Sequence, residues 1–226
     1  MLILGTVLLI LLAVGYQAIS QMLRTNYIQA APPVENLADD PQGKEKWVIG
    51  RPMHLNKGDF ILLPLVSENK EVENVDVEVF ASKSYDMFGG GYYGDASKNV
   101  LFLNTQDNSA FWLFKGVDRL ILDITLFPAG YDYEGPTKAI FYKVIAKDTN
   151  NDNKLSKEDA ASLYISEPNG DNYQRVLSAY DRIISRDLVS DNRMMVIYQH
   201  DGKAYSKLIQ LSPYTEVSNV ELPKVE

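Results

Sequence analysis

The 226 residues carry 22 Lys and Arg against 30 Asp and Glu, a formal charge of −8, and no basic stripe, which argues against nucleic-acid binding because that needs clustered cations along the phosphate backbone. The absence of Cys excludes disulfides, thiolate nucleophiles and thiolate zinc sites. A hydrophobic fraction of 46%, with 11% aromatics, is enough to build the core of one ordinary domain.

Residues 1–22 contain no charged side chain, and 2–15 (LILGTVLLILLAVG) are almost purely aliphatic. At about 1.5 Å per helical residue, this stretch with 16–20 added matches the thickness of the hydrocarbon layer. Residues 1–23 therefore read as a transmembrane helix, or as a signal segment cut after the small residues Ala18 and Ser20 to release an exported soluble form. The first flanking charge, Arg24, would by the positive-inside tendency leave the domain in the cytoplasm, but the calcium loop described below outweighs one Arg. Residues 24–46, with Pro32, Pro33 and Asp39-Asp40-Pro41, read as an exposed linker into a domain over 47–226.

From Lys57 onward, short runs rich in Val, Ile, Tyr and Phe alternate with turn residues, which is the strand signature. Three runs begin alike, with Gly58-Asp59-Phe60-Ile61-Leu62, Val117-Asp118-Arg119-Leu120-Ile121 and Tyr180-Asp181-Arg182-Ile183-Ile184, at a spacing of about sixty residues. Each is followed by a two-strand unit over 99–114, 162–177 or 194–211, turning at Gln106-Asp107-Asn108, Pro168-Asn169-Gly170-Asp171 and His200-Asp201-Gly202-Lys203. Extra strands are expected at 75–81 and 138–146. The fold class is thus mainly β, in antiparallel meanders of about three repeats, as a propeller-like stack or a sandwich. The strand, Asp-Gly type turn and second strand over 57–211 resemble the repeats of bacterial periplasmic propellers of the TolB kind. That resemblance implies blades, although three units are too few to close a propeller.

Two long insertions, 83–98 and 148–159, fall at the same place in their units and would share one rim of the fold. The first holds Phe88, Gly89-Gly90-Gly91, Tyr92 and Tyr93, which suit a contact surface. The second, Asp148-Thr149-Asn150-Asn151-Asp152-Asn153-Lys154-Leu155-Ser156-Lys157-Glu158-Asp159, sets oxygen side chains at positions 1, 3, 5, 9 and 12 of a twelve-residue loop. Calcium takes six to eight oxygens in a roughly pentagonal bipyramid, and this spacing supplies them from Asp148, Asn150, Asp152, the Lys154 carbonyl, Ser156 and Asp159. Asn153 stands where Gly is usual and tolerates the left-handed backbone needed there. Leu155 should point into the core, and 156–161 should form a short helical turn behind an N-cap. The loop resembles the EF-hand, and its closing Asp159 resembles the dockerin-type loop of extracellular bacterial proteins, here entered from a strand.

Parts for chemistry are missing. The two histidines, His54 and His200, lie in no recognisable motif, and His200 beside Asp201 reads as an exposed turn residue. Trp47 and Trp112 read as core. The sequence points to a membrane-anchored, extracytoplasmic protein that binds Ca2+ and has a binding or structural role toward a protein or polysaccharide partner. The alternative is a carbohydrate-active envelope hydrolase with a carboxylate pair beside the calcium-braced loop.

Overall fold

Alternating apolar residues punctuated by Asn, Asp and Gly fold here as antiparallel β-structure throughout. The computed structural model describes residues 36–40, 44–67, 91–92, 96–129 and 133–224. Its strands are β1 (Trp47–Ile49), β2 (Met53–His54), β3 (Phe60–Ser67), β4 (Gly91–Tyr92), β5 (Ser97–Asn104), β6 (Ala110–Trp112), β7 (Leu120–Phe127), β8 (Ala139–Ile145), β9 (Ser162–Ser166), β10 (Gln174–Leu177), β11 (Arg182–Ser190), β12 (Arg193–His200), β13 (Lys203–Leu211) and β14 (Tyr214–Glu221).

The first ten strands form one sheet on the path β1-β3-β5-β7-β8-β9-β10, with β2 on β3, β4 on β7 and β6 on β5. The last four form a separate up-and-down meander, β11-β12-β13-β14. Directly opposed residues of antiparallel strands share a face, so the registers sort the large sheet into two sides. On the inner side Leu62, Val100, Phe102, Ile121, Ile124, Ile140 and Tyr142 make one core. The sheet curls around it. A Cβ on Gly170, in the β9–β10 turn, would lie 3.1 Å from the Phe102 ring and 3.2 Å from Phe111, so a side chain there would crowd both. Tyr173, three residues on, packs edge-on against Phe114 and stacks on Tyr164 at 4.9 Å.

On the outer side Phe127, Phe141, Leu163, Ile165 and Leu177 meet Met194, Val196, Ile209 and Leu211 of the meander in a second core. The Tyr214 hydroxyl ties the two sheets by donating to the Ser166 carbonyl at 2.7 Å. A third, small core of Leu120, Ile145 and Leu155 sits on the same outer side, beneath the loop that follows β8.

All three expected strand starts and all three hairpins exist, as β3, β7 and β11 and as β5–β6, β9–β10 and β12–β13. They are not blades of a propeller: the first two units merge into one sheet, the third stands apart, and among the described residues no strand closes a ring. The expected helix after residue 156 is also absent. Asp159 N–H reaches the Ser156 carbonyl in a single turn, and β9 begins at Ser162, too soon for a second turn. Trp112 is 41% exposed because β6 is a three-residue edge strand with β5 as its neighbour among the described residues. Among the described residues no helix is long and apolar enough to cross a membrane. The expected helix at 1–23, the strand at 75–81 and residues 83–90 and 93–95 of the first insertion lie outside the described residues.

Phe141 is buried between the sheets and packs edge-on against Phe127 at 5.7 Å. Phe141→Ala should lower the free energy of unfolding by about 3–5 kcal/mol. Val217→Ala, on exposed β14, should stay within about 0.5 kcal/mol of wild type. Urea titration followed by tyrosine fluorescence measures both.

Candidate metal centre

Strand β8 ends at Ile145, on the outer side of the sheet, and delivers the chain to the 148–159 loop. Leu155 is 1% exposed and wedges against Ile145 and Leu120, so the middle of the loop is pinned to the sheet. Two Asn residues take the left-handed backbone, Asn153 with φ 67° and Asn151 with φ 61°. Position 6 of the loop thus turns as a Gly would, with an Asn that L-residues rarely match in tolerance.

The acidic residues organise the turn. Asp148 accepts the N–H of Asn151 at 2.7 Å and of Asn153 at 2.8 Å. Asn150 Oδ1 accepts the Asp152 N–H, and Asp152 Oδ1 accepts the Lys154 N–H, both at 2.9 Å. Asp159 reaches back from the end of the loop and accepts from Thr149 N–H at 2.6 Å, Thr149 Oγ1 at 2.9 Å, Asn150 N–H at 3.3 Å and Ser156 N–H at 2.9 Å. Burial pushes the Asp159 carboxyl up, but the N–H and hydroxyl donors of Thr149, Ser156 and Asn150 outweigh it and hold the group below its ordinary 3.8. Ser156 Oγ donates to Glu158 Oε2 at 2.6 Å.

Within the segment expected as a linker, residues 36–38 are bound to this loop, and Glu45 ties back to Leu37 and Asp40. Leu37 bridges Lys154, with Ala38 N–H on the Asn153 carbonyl at 3.3 Å and Leu155 N–H on the Asn36 carbonyl at 2.7 Å. In such a pair the bonds run through the flanking groups, so the Lys154 N–H and carbonyl point away from Leu37, to the side where Asp152 receives that N–H. Behind the strap, Lys98 Nζ donates to the Leu37 carbonyl at 2.9 Å and lies 3.8 Å from Glu45, both side chains nearly inaccessible to water. Burial lowers the Lys98 ammonium and raises the Glu45 carboxyl, each partly offset by its partner. Glu45 also accepts the Leu37 N–H at 2.9 Å. Polar composition at 36–46 thus serves a buried ion pair, which its reading as a spacer missed.

All six expected ligand positions lie on one loop, with Asp159 buried, Asp148 and Ser156 half-buried, and Asn150, Asp152 and Lys154 exposed. The donor set is oxygen alone. Oxygen donors are the type a hard cation takes; Asp148 Oδ1, Asp148 Oδ2 and Asp159 Oδ2 each accept one N–H and keep a lone pair, whereas Asp159 Oδ1 is filled by three donors. The oxygens of Asp148, Asp152 and Asp159 do not all come within 4.8 Å of one another, so the structure does not bring the three loop carboxylates together as one cluster. Ligand atoms of Asp181, His200 and Asp201 lie within 4.8 Å of one another, and this group can hold a metal ion.

That second group arises where β11 starts beside the β12–β13 turn. Asp181 N–H donates to the Gln199 carbonyl at 2.8 Å, and Asp181 Oδ2 accepts the Gly202 N–H at 3.3 Å. His200 Nε2 lies 3.6 Å from Asp201 Oδ2. The Asp-Gly pair turns as expected, with φ 48° at Asp201 and 70° at Gly202. Both motifs are visible in the sequence, but only the strand register joins Asp181 to His200.

With chelator present, Asp159→Asn should cost about 1–3 kcal/mol near neutral pH, since Asn offers one oxygen where two were accepting. The stability Asp159 supplies is present above 3.8, its unfolded value, and is lost as pH falls through its lower folded value. Wild type should therefore lose stability in that acid window more steeply than the Asn variant, as read by thermal melts across pH.

Comparison with known proteins finds no family model, no curated protein and no solved structure that matches this chain.

Proposed function

We propose that this chain is a membrane-anchored, extracytoplasmic calcium-binding protein whose β domain has a binding or structural role. The observation that carries the reading is the left-handed turn at Asn153 followed by buried Leu155, within a loop whose oxygen donors keep the one-three-five-nine-twelve spacing. Calcium would be held by Asp148, Asn150, Asp152, the Lys154 carbonyl, Ser156 directly or through water, and Asp159. Its charge would offset the repulsion among the three aspartates and stiffen the strap that Leu37 makes with Lys154.

A lone loop of this kind belongs to the weak class, with dissociation constants of about 10⁻⁴–10⁻³ M, which fills outside the cytosol and stays empty within it. The uncharged apolar run at 1–22 supports the same address. The Asp181, His200 and Asp201 group mixes imidazole with carboxylate, a set suited to transition metals more than to calcium.

The test is calorimetric titration of Glu35–Glu226 with calcium, for wild type, the Asp148→Ala/Asp152→Ala double variant and Asp181→Ala. The reading expects a binding heat that the double variant loses, by tenfold or more in affinity, and that Asp181→Ala keeps. Loss in Asp181→Ala alone would move the site to the β12–β13 turn, and no heat up to millimolar calcium would remove calcium from the function.

A further inference from the structure

Described elements cover the outer face of the large sheet in two places and leave a third without cover among the described residues. The meander covers it over β7 to β10, and the loop and strap cover it around Leu120, Ile145 and Lys98. Over β1, β3, β5 and β6 no described element lies on it. Cross-strand partners there are Leu63 opposite Leu101, Leu101 opposite Trp112, Ile61 opposite both Leu103 and His54, and Leu65 opposite both Ile49 and Asn99. Apart from Asn99 and His54, at its edges, these residues are apolar, and Ile61, Leu63, Leu65, Leu101 and Leu103 are only half-buried. Ile49 is 49% exposed and Trp112 41%. None of them belongs to the three cores, whose β3 and β5 members are the alternate residues Leu62, Val100 and Phe102. A contiguous aliphatic patch with a Trp at its margin is costly to leave in water and marks an interaction surface.

We infer that this face, bearing Ile49, Leu63, Leu65, Leu101, Leu103 and Trp112, rests on the surface of the lipid bilayer. The inference depends on the membrane anchorage proposed above. The strap marks where the chain enters the domain: Leu37 lies on Lys154 and on Lys98, whose ammonium is 5.5 Å from the Trp47 ring, and Glu45, paired with the same Lys98, stands two residues before β1 beside the patch. The chain therefore arrives on the same face that is open. The uncharged run ends at residue 22 and the strap begins at 36, a span that reaches no further than about 50 Å even when fully extended. An apolar face held that close to a bilayer meets it at high effective concentration, so a contact too weak for a free protein suffices. A Trp at the rim of the patch suits the headgroup boundary, where amphipathic rings concentrate. Lys98, behind the strap, is paired with Glu45 and turned inward, so it presents no charge to the patch.

The chain has no Cys, so a single nitroxide can be placed at will. The full chain is reconstituted in phosphatidylcholine vesicles with a spin label at Ile49→Cys or, as control, at Val189→Cys, a residue of equal 49% exposure on β11 of the other sheet. Power saturation then compares collision with oxygen, which concentrates in lipid, and with a water-soluble nickel chelate. The inference expects the Ile49 label to be rich in oxygen and depleted in nickel relative to Val189, at a depth within about 5–10 Å of the headgroup boundary. Flotation of the chain with the vesicles is scored separately. Chain that floats with both labels equally open to nickel would overturn the docked face while leaving the anchor in place. Chain that does not float at all would overturn the anchor and the docked face together. A label at 49 shielded from both reagents means protein covers the face, whether a second copy or residues 68–90, and overturns the lipid contact as well.

Discussion

The domain is hung on β8, which with its neighbour β7 contributes to all three cores. Phe141 and Ala139 face the meander, Ile140, Tyr142 and Val144 face the inside of the curled sheet, and Ile145 lies under the loop. A strand buried on both sides cannot slip by one residue without exchanging its two apolar sets, so its register with β7 and β9 is strongly specified. Its one buried hydroxyl, on Tyr142, is satisfied by Ser166 at 2.9 Å. The loop of interest leaves directly from this strand, which is why a polar, Asn-rich turn can hold one shape at the surface.

The loop in turn is held from two directions. Leu155 pins it to the sheet by apolar contact, and the strap pins it by backbone hydrogen bonds from Asn36 and Ala38. The strap depends on a buried ion pair, Lys98 with Glu45, of the kind whose removal on one side leaves an uncompensated charge. Here the pair holds Leu37 at both its carbonyl, through Lys98, and its N–H, through Glu45. The uncovered remainder of the large sheet's outer face, with Ile49 and Trp112, is what gives the strap a consequence beyond stability.

Local features were legible in the sequence and long-range ones were not. Hairpins at 105–109, 168–172 and 201–202 follow from Asn, Asp and Gly at positions of positive φ, and Asn108, Gly170, Asn172, Asp201 and Gly202 all take it. The buried Leu155 and the turned Asn153 follow equally from loop spacing. Strand pairing did not, since β3 joins β5 and β7 joins β8 across insertions of differing length, and similar strand starts at 58, 117 and 180 say nothing of which sheet receives them. Trp112 deceived because size suggested burial where edge position decided otherwise. Residues 36–46 deceived because a solvated charge and a buried, paired charge look alike in one dimension. The gathering of Asp181 with His200 needed the β11–β12 register.

The central claim is that the 148–159 loop, once it holds calcium, and the strap across it behave as one unit. Amide hydrogen exchange at Leu155, whose N–H is bound by the Asn36 carbonyl, and at Ala38, bound to the Asn153 carbonyl, reads that coupling directly. Millimolar calcium should slow exchange at both amides together, with little change at amides of the meander. Unchanged exchange at Leu155 and Ala38 in saturating calcium would contradict the account.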